Sequence, residues 1–102
     1  MKSTKKQRLE VAGWRVSSAA TFLGLSAEEA AFVELKVALG QSLRRWRTRQ
    51  KLTQGELAVR LQSSQSRVAK MEAADPTVSV DLLVRSLLKL GARRKDIARA
   101  IA

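Results

Sequence analysis

The sequence has no cysteine, no histidine, one proline and four aromatic residues. Without cysteine, disulfides and thiolate metal sites are excluded. Without histidine, the chain lacks the commonest general base near neutral pH and the commonest metal ligand. The nine carboxylates form no recognisable catalytic pair along the sequence. Neither an enzyme nor a bound cofactor or metal is therefore expected. No apolar run approaches the roughly 20 residues of a membrane span. The basic N-terminus is not followed by the apolar stretch of a secretory signal. The expectation is a cytoplasmic protein with no membrane partner. With only four aromatics, three of them in the N-terminal third, a protein that stacks single-stranded bases on aromatic platforms has little support.

What the chain does have is positive charge. Its 102 residues carry 20 Lys and Arg against 9 Asp and Glu, a formal net charge of +11. Charge of this size speaks about partners rather than fold. Residues 41–54 hold five basic side chains (Arg44, Arg45, Arg47, Arg49 and Lys51) and no acidic one. Residues 27–40 lean acidic, residues 55–75 balance, and residues 1–26 and 76–102 are basic. A polyanion is the partner this pattern predicts. The 45% hydrophobic content suits one small domain with a modest core.

Two segments are expected. Residues 1–26 form a basic N-terminal arm, partly disordered: 1–12 mobile, 13–17 a short extended stretch, 19–25 a short helix or turn packing Phe22 and Leu23. Residues 27–102 form an all-α domain of five helices, with no period-two alternation long enough for a sheet. Ser26 with Glu29 makes a capping box, S/T-x-x-E, opening a helix from about Ala27 to Gln50. Phe32, Leu35, Leu39, Leu43 and Trp46 form its apolar stripe. Gly40 in mid-helix permits close packing or marks a bend. Thr53 with Glu56 caps a second helix, Gln54 to Leu61. Ser64 caps a third, which Asp75-Pro76 stops. Ser79 or Thr77 caps a fourth, to about Leu90, lined by Val80, Leu83, Leu87 and Leu90 and followed by Gly91 as its terminator. Arg93 to Ile101 forms a fifth, burying Ile97 and Ile101.

Helices two and three carry most of the functional information. Only Gln62-Ser63 joins them, so they cross steeply, as in a helix-turn-helix. Leu57, Ala58, Leu61, Val68 and Met71 would fix them together. Gln65, Ser66, Arg67 and Lys70 would then share one exposed helix, and all can donate hydrogen bonds to base edges or phosphates.

Leu-Thr-Gln-Gly-Glu-Leu-Ala followed by Ser-Ser-Gln-Ser-Arg-Val-Ala-Lys-Met-Glu resembles the Xre family of lambda-repressor-like helix-turn-helix domains, over roughly residues 39–90. One departure is Gln62, where the family usually has glycine; a φ above zero there is strained for glutamine. Gly13-Trp14, Phe22-Leu23-Gly24-Leu25-Ser26 and Glu-Leu-Lys-Val-Ala-Leu are similar to the small HigA-like antitoxin subgroup. The resemblance implies a sequence-specific repressor that binds operator double-stranded DNA as a homodimer. It also implies a type II antitoxin that autoregulates its operon and binds a cognate toxin, through the N-terminal arm. A stand-alone Xre-type regulator and a non-specific nucleic-acid binder are the rivals.

The DNA-binding residues expected are Gln54, Ser64, Gln65, Ser66, Arg67 and Lys70. By the resemblance, Gln54 contacts phosphate and braces the next helix. Gln65 is the leading base reader, because its amide can bond adenine N6 and N7 together. Arg67 reaches guanine or a phosphate, Lys70 a phosphate or groove edge, and Ser64 both caps its helix and donates to phosphate. The four arginines at 44, 45, 47 and 49 spread around their helix, so one or two should pair with acids such as Glu72.

Overall fold

The computed structural model describes residues 24–102. The mobile arm, the extended stretch and the short helix expected before Gly24 lie outside them, with Trp14, Phe22 and Leu23. The chain divides into two compact units, residues 1–34 and 35–102. Five helices run through the described residues: α1 Ala27–Arg49, α2 Gln54–Leu61, α3 Gln65–Glu72, α4 Val80–Lys89 and α5 Arg94–Ile101. The fold is all-α, as expected.

Hydroxyl caps set four of the five starts. Ser26 Oγ accepts from the Glu29 N–H, and Ser26 N–H donates to the Glu29 carboxylate at 2.7 Å. The Ser26 N–H and hydroxyl together hold the Glu29 carboxyl below the usual carboxylate range. Thr53 and Glu56 make the same reciprocal box for α2. Ser64 accepts from Arg67 N–H, and Ser79 from Leu82 N–H. Between Ser79 and Thr77, Ser79 is the cap; Thr77 donates instead to Asp75 Oδ1 through both its N–H and its hydroxyl. α5 begins differently. A guanidinium cannot accept a hydrogen bond, so Arg93 contributes only its backbone N–H, given to Asp96.

Four helices end in one way. A residue one or two positions past the helix turns left-handed, and two N–H groups fold back onto the last carbonyls, the Schellman arrangement. Lys51, Gln62, Ala74 and Gly91 hold these positions, with φ of 60°, 57°, 54° and 103°. Their closing bonds run from Leu52 to Arg47, Ser63 to Ala58, Asp75 to Lys70 and Ala92 to Leu87. Gln62 thus adopts the left-handed geometry despite its side chain. Ala74 also corrects the expected end of α3: the helix stops at Glu72, before Asp75-Pro76, because Ala74 has already reversed the chain.

The core of the second unit comprises Leu39, Leu43, Leu57, Ala58, Leu61, Val68, Met71, Val78, Leu83, Leu87, Leu90 and Ala92. Leu35, Trp46 and Ile97 pack on it, half-buried. Two expectations need correction. Phe32 is 53% exposed, since the buried stripe of α1 begins only with Leu35 and Lys36. Ile101 is 43% exposed, at the last turn of a helix that buries nothing completely.

Gly40 is a close-approach residue. A Cβ there would lie 2.8 Å from the Met71 carbonyl oxygen and 3.0 Å from that of Glu72. α1 therefore rests directly on the backbone of the last turn of α3. Four residues earlier, the buried Lys36 donates from Nζ to the Asp75 carbonyl at 3.4 Å.

Two substitutions test these constraints by urea unfolding. Gly40→Ala should destabilise the protein by at least about 1 kcal/mol, because backbone overlap outweighs the roughly 1 kcal/mol gain in helix propensity. Ala74→Gly should stabilise it by about 1 kcal/mol, by removing the left-handed strain on an L-residue.

Candidate nucleic-acid interface

α2 and α3 pack on each other through Leu57, Ala58, Leu61, Val68 and Met71, all buried. With that side sealed, α3 turns the rest of its surface outward. Gln65, Ser66, Arg67 and Lys70 are all exposed, as is the capping Ser64. The expected polar ridge is therefore present as a surface. Ser64 Oγ lies 3.3 Å from Ser66 Oγ, so the two hydroxyls form one small polar corner at the start of the helix.

Gln54 stands apart from the other five. It is half-buried, and its amide nitrogen donates to Glu72 Oε1 at 3.1 Å. It therefore braces the far end of α3 from the first position of α2, and its second amide N–H remains for another acceptor. Glu72 is the hub of this brace. Arg47 on α1 grips its carboxylate with two nitrogens and gives a third hydrogen bond, 2.8 Å, to the Leu52 carbonyl. The two side chains are only 12% and 6% exposed. Hydrogen bonding to Glu72 outweighs desolvation and holds the Arg47 guanidinium firmly protonated. One bidentate pair thus joins the end of α1, the start of α2 and the end of α3.

The remaining arginines sort by their position around α1. Arg44 lines a shallow hollow with Arg47, Gln54, Ala69, Glu72 and Ala73, beside α3. Arg45 and Arg49 line a different cleft, against α5. Arg49 stacks over the Trp46 ring at 5.1 Å. Trp46 packs against the core as expected.

Reasoning from side-chain types alone passed over Gly55. A Cβ there would meet only Thr53 Oγ1, at 3.9 Å, so packing does not demand glycine. Its bareness leaves the first turn of α2 uncovered, where helix N–H groups are available to an anion. The signal was an unexplained glycine in a first turn that packing would tolerate as alanine.

Among the described residues no group of three or more acidic side chains is placed to hold a metal. None of their helices is long and apolar enough to cross a membrane.

Removing one partner of a buried pair leaves the other charge stranded, at a cost of about 3–5 kcal/mol. Arg47→Met should therefore lower unfolding stability by about 3 kcal/mol, and the double variant Arg47→Met/Glu72→Met should recover much of that loss in the same urea titration.

Comparison with known proteins gives one result. A family model described as helix-turn-helix domain matches residues 38–100, well over half of the chain. No curated protein and no solved structure matches. The matched span runs from the core-facing half of α1 through α5, and includes the buried pair, the brace and the exposed face of α3. The chain belongs to the helix-turn-helix domain family.

Proposed function

We propose that this protein is a sequence-specific DNA-binding repressor of the Xre type. The observation that carries this reading is the two-sided character of α3. Val68 and Met71 are sealed in the core, while Gln65, Ser66, Arg67 and Lys70 stand in solvent on a helix braced at its far end. A helix of this width fits the major groove of B-form DNA, where base edges present distinguishable patterns of donors and acceptors.

Gln65 reads a base edge, with adenine as the natural partner of its amide. Arg67 takes guanine or a phosphate. Ser64, Lys70 and the remaining amide N–H of Gln54 hold phosphates, with the N–H groups at Gln54 and Gly55 assisting. Phosphate contacts supply affinity and register, and base contacts supply sequence. One α3 reads only a few base pairs, so two copies related by a two-fold axis would read half-sites about one helical turn apart. Leu88 and Ile101, apolar and exposed on α4 and α5, give the homodimer a surface to bury. Occupying a promoter would then repress it.

The narrower reading is an autoregulating antitoxin of a type II pair. Its support is the similarity of residues 13–39 to the HigA-like subgroup. The basic arm with Trp14, Phe22 and Leu23 would cover a cognate toxin. A stand-alone regulator is the rival, and deleting residues 1–25 separates them: an antitoxin loses toxin binding and keeps DNA binding.

Gln65→Ala and Arg67→Ala should each weaken binding to the protein's own promoter about 5- to 150-fold, as expected for losing a bidentate base contact of about 1–3 kcal/mol. Circular dichroism should show unchanged helicity. Gel-shift titrations with wild-type affinity for both variants would remove the readout assignment.

A further inference from the structure

The cleft between α1 and α5 is unused by the reading above. It measures about 230 Å³ and is lined by Ser42, Arg45, Trp46, Arg49, Asp96, Arg99 and Ala100. Three arginines, Arg45, Arg49 and Arg99, therefore line it around a half-buried indole. Their charge is poorly answered within the protein. Arg49 stacks on the Trp46 ring and Arg45 has no carboxylate partner among the described residues. Asp96 is the one acid present. It is already committed to the Arg93 N–H at 2.8 Å and reaches Arg99 at 3.5 Å. Arg94 and Lys95 are exposed on the same short helix, so the positive surface continues beyond the cleft.

The position of this cleft is as informative as its charge. An α-helix turns roughly 100° per residue. The mean direction of Arg44 and Arg47, which flank α3, therefore lies roughly 180° around α1 from that of Ser42, Arg45, Trp46 and Arg49. Duplex DNA is stiff over about 150 base pairs, so a duplex seated on α3 does not wrap round to reach the other side of so small a domain.

We propose that the α1–α5 cleft is a second phosphate-binding site, which holds the backbone of a second nucleic-acid segment. It suits one phosphate group, which a planar guanidinium can hold through two parallel hydrogen bonds. The positive surface of Arg94 and Lys95 beside it favours a chain of phosphates over a single small anion. The chain would then hold two nucleic-acid segments at once, one seated on α3 and one gripped in the cleft without regard to sequence. This inference does not depend on base reading by α3.

The test is amide and indole NMR on the full chain, titrated with an unrelated 16-base-pair duplex in excess. Two clusters of signals report separately: Ser64 to Lys70 for α3, and Arg45 to Arg49 with the Trp46 indole and Ala98 to Ala100 for the cleft. Both clusters should move in the wild type. Arg45→Ala/Arg99→Ala, two exposed positions, should abolish the cleft response and leave the α3 response in place; Arg45→Glu should do the same with a single change. A still cleft beside a moving α3 overturns the second site and leaves the proposed function standing. A moving cleft beside a still α3 supports the second site, and the gel shift on the protein's own promoter then decides the α3 reading separately. Inorganic pyrophosphate and a poly-glutamate peptide are the remaining probes. A cleft that answers either of them but not the duplex overturns the nucleic-acid occupant.

Discussion

The Arg47–Glu72 pair is the constraint on which the rest depends. α3 has only eight residues, too few to be helical in water without tertiary support. Its first turn is held by the Ser64 cap and its middle by Val68 and Met71 in the core. Its last turn is held from three directions: Arg47 and Gln54 on Glu72, the bare Gly40 under the Met71 and Glu72 carbonyls, and Lys36 on the Asp75 carbonyl. The ordering cost of the ridge is therefore met within the protein, before any partner arrives. That preorganisation presents Gln65, Ser66, Arg67 and Lys70 to solvent on a helix already fixed in place.

The same helix that anchors α3 also divides the positive charge. A net charge of +11 could serve only general attraction to polyanions. On α1, a change of one position moves an arginine between surroundings. Arg47 is consumed in a buried pair, Arg44 stays beside α3, and Arg45 and Arg49 face α5. One run of four arginines thus contributes to folding on one side of the helix, to the α3 surface next to it, and to an arginine cleft on the opposite side.

Much of the fold was legible because its start signals are local chemistry. Ser26, Thr53, Ser64 and Ser79 are short hydroxyl residues before apolar periodicity, and each caps the helix it was expected to cap. The exposure of Gln65, Ser66, Arg67 and Lys70 followed from the spacing of Val68 and Met71. Helix ends were less legible, because a left-handed residue is announced only by glycine. Gly91 announced one and the departure at Gln62 hinted at another, whereas Lys51 and Ala74 gave no sign. Which arginine would pair with Glu72 depends on how α1 lies across α3, and that is set by Gly40 packing on backbone atoms far away in sequence. Phe32 and Ile101 failed for a related reason. Periodicity marks one face of a helix, but not how far along that face a neighbour extends.

The most direct measurement is selection of duplexes from a random pool by the full-length protein. A braced, base-reading α3 on a symmetric dimer predicts enrichment of a two-fold-symmetric site, with half-site centres about 10 base pairs apart. Recovery of duplexes with no shared sequence, bound no better than unrelated DNA, would contradict it.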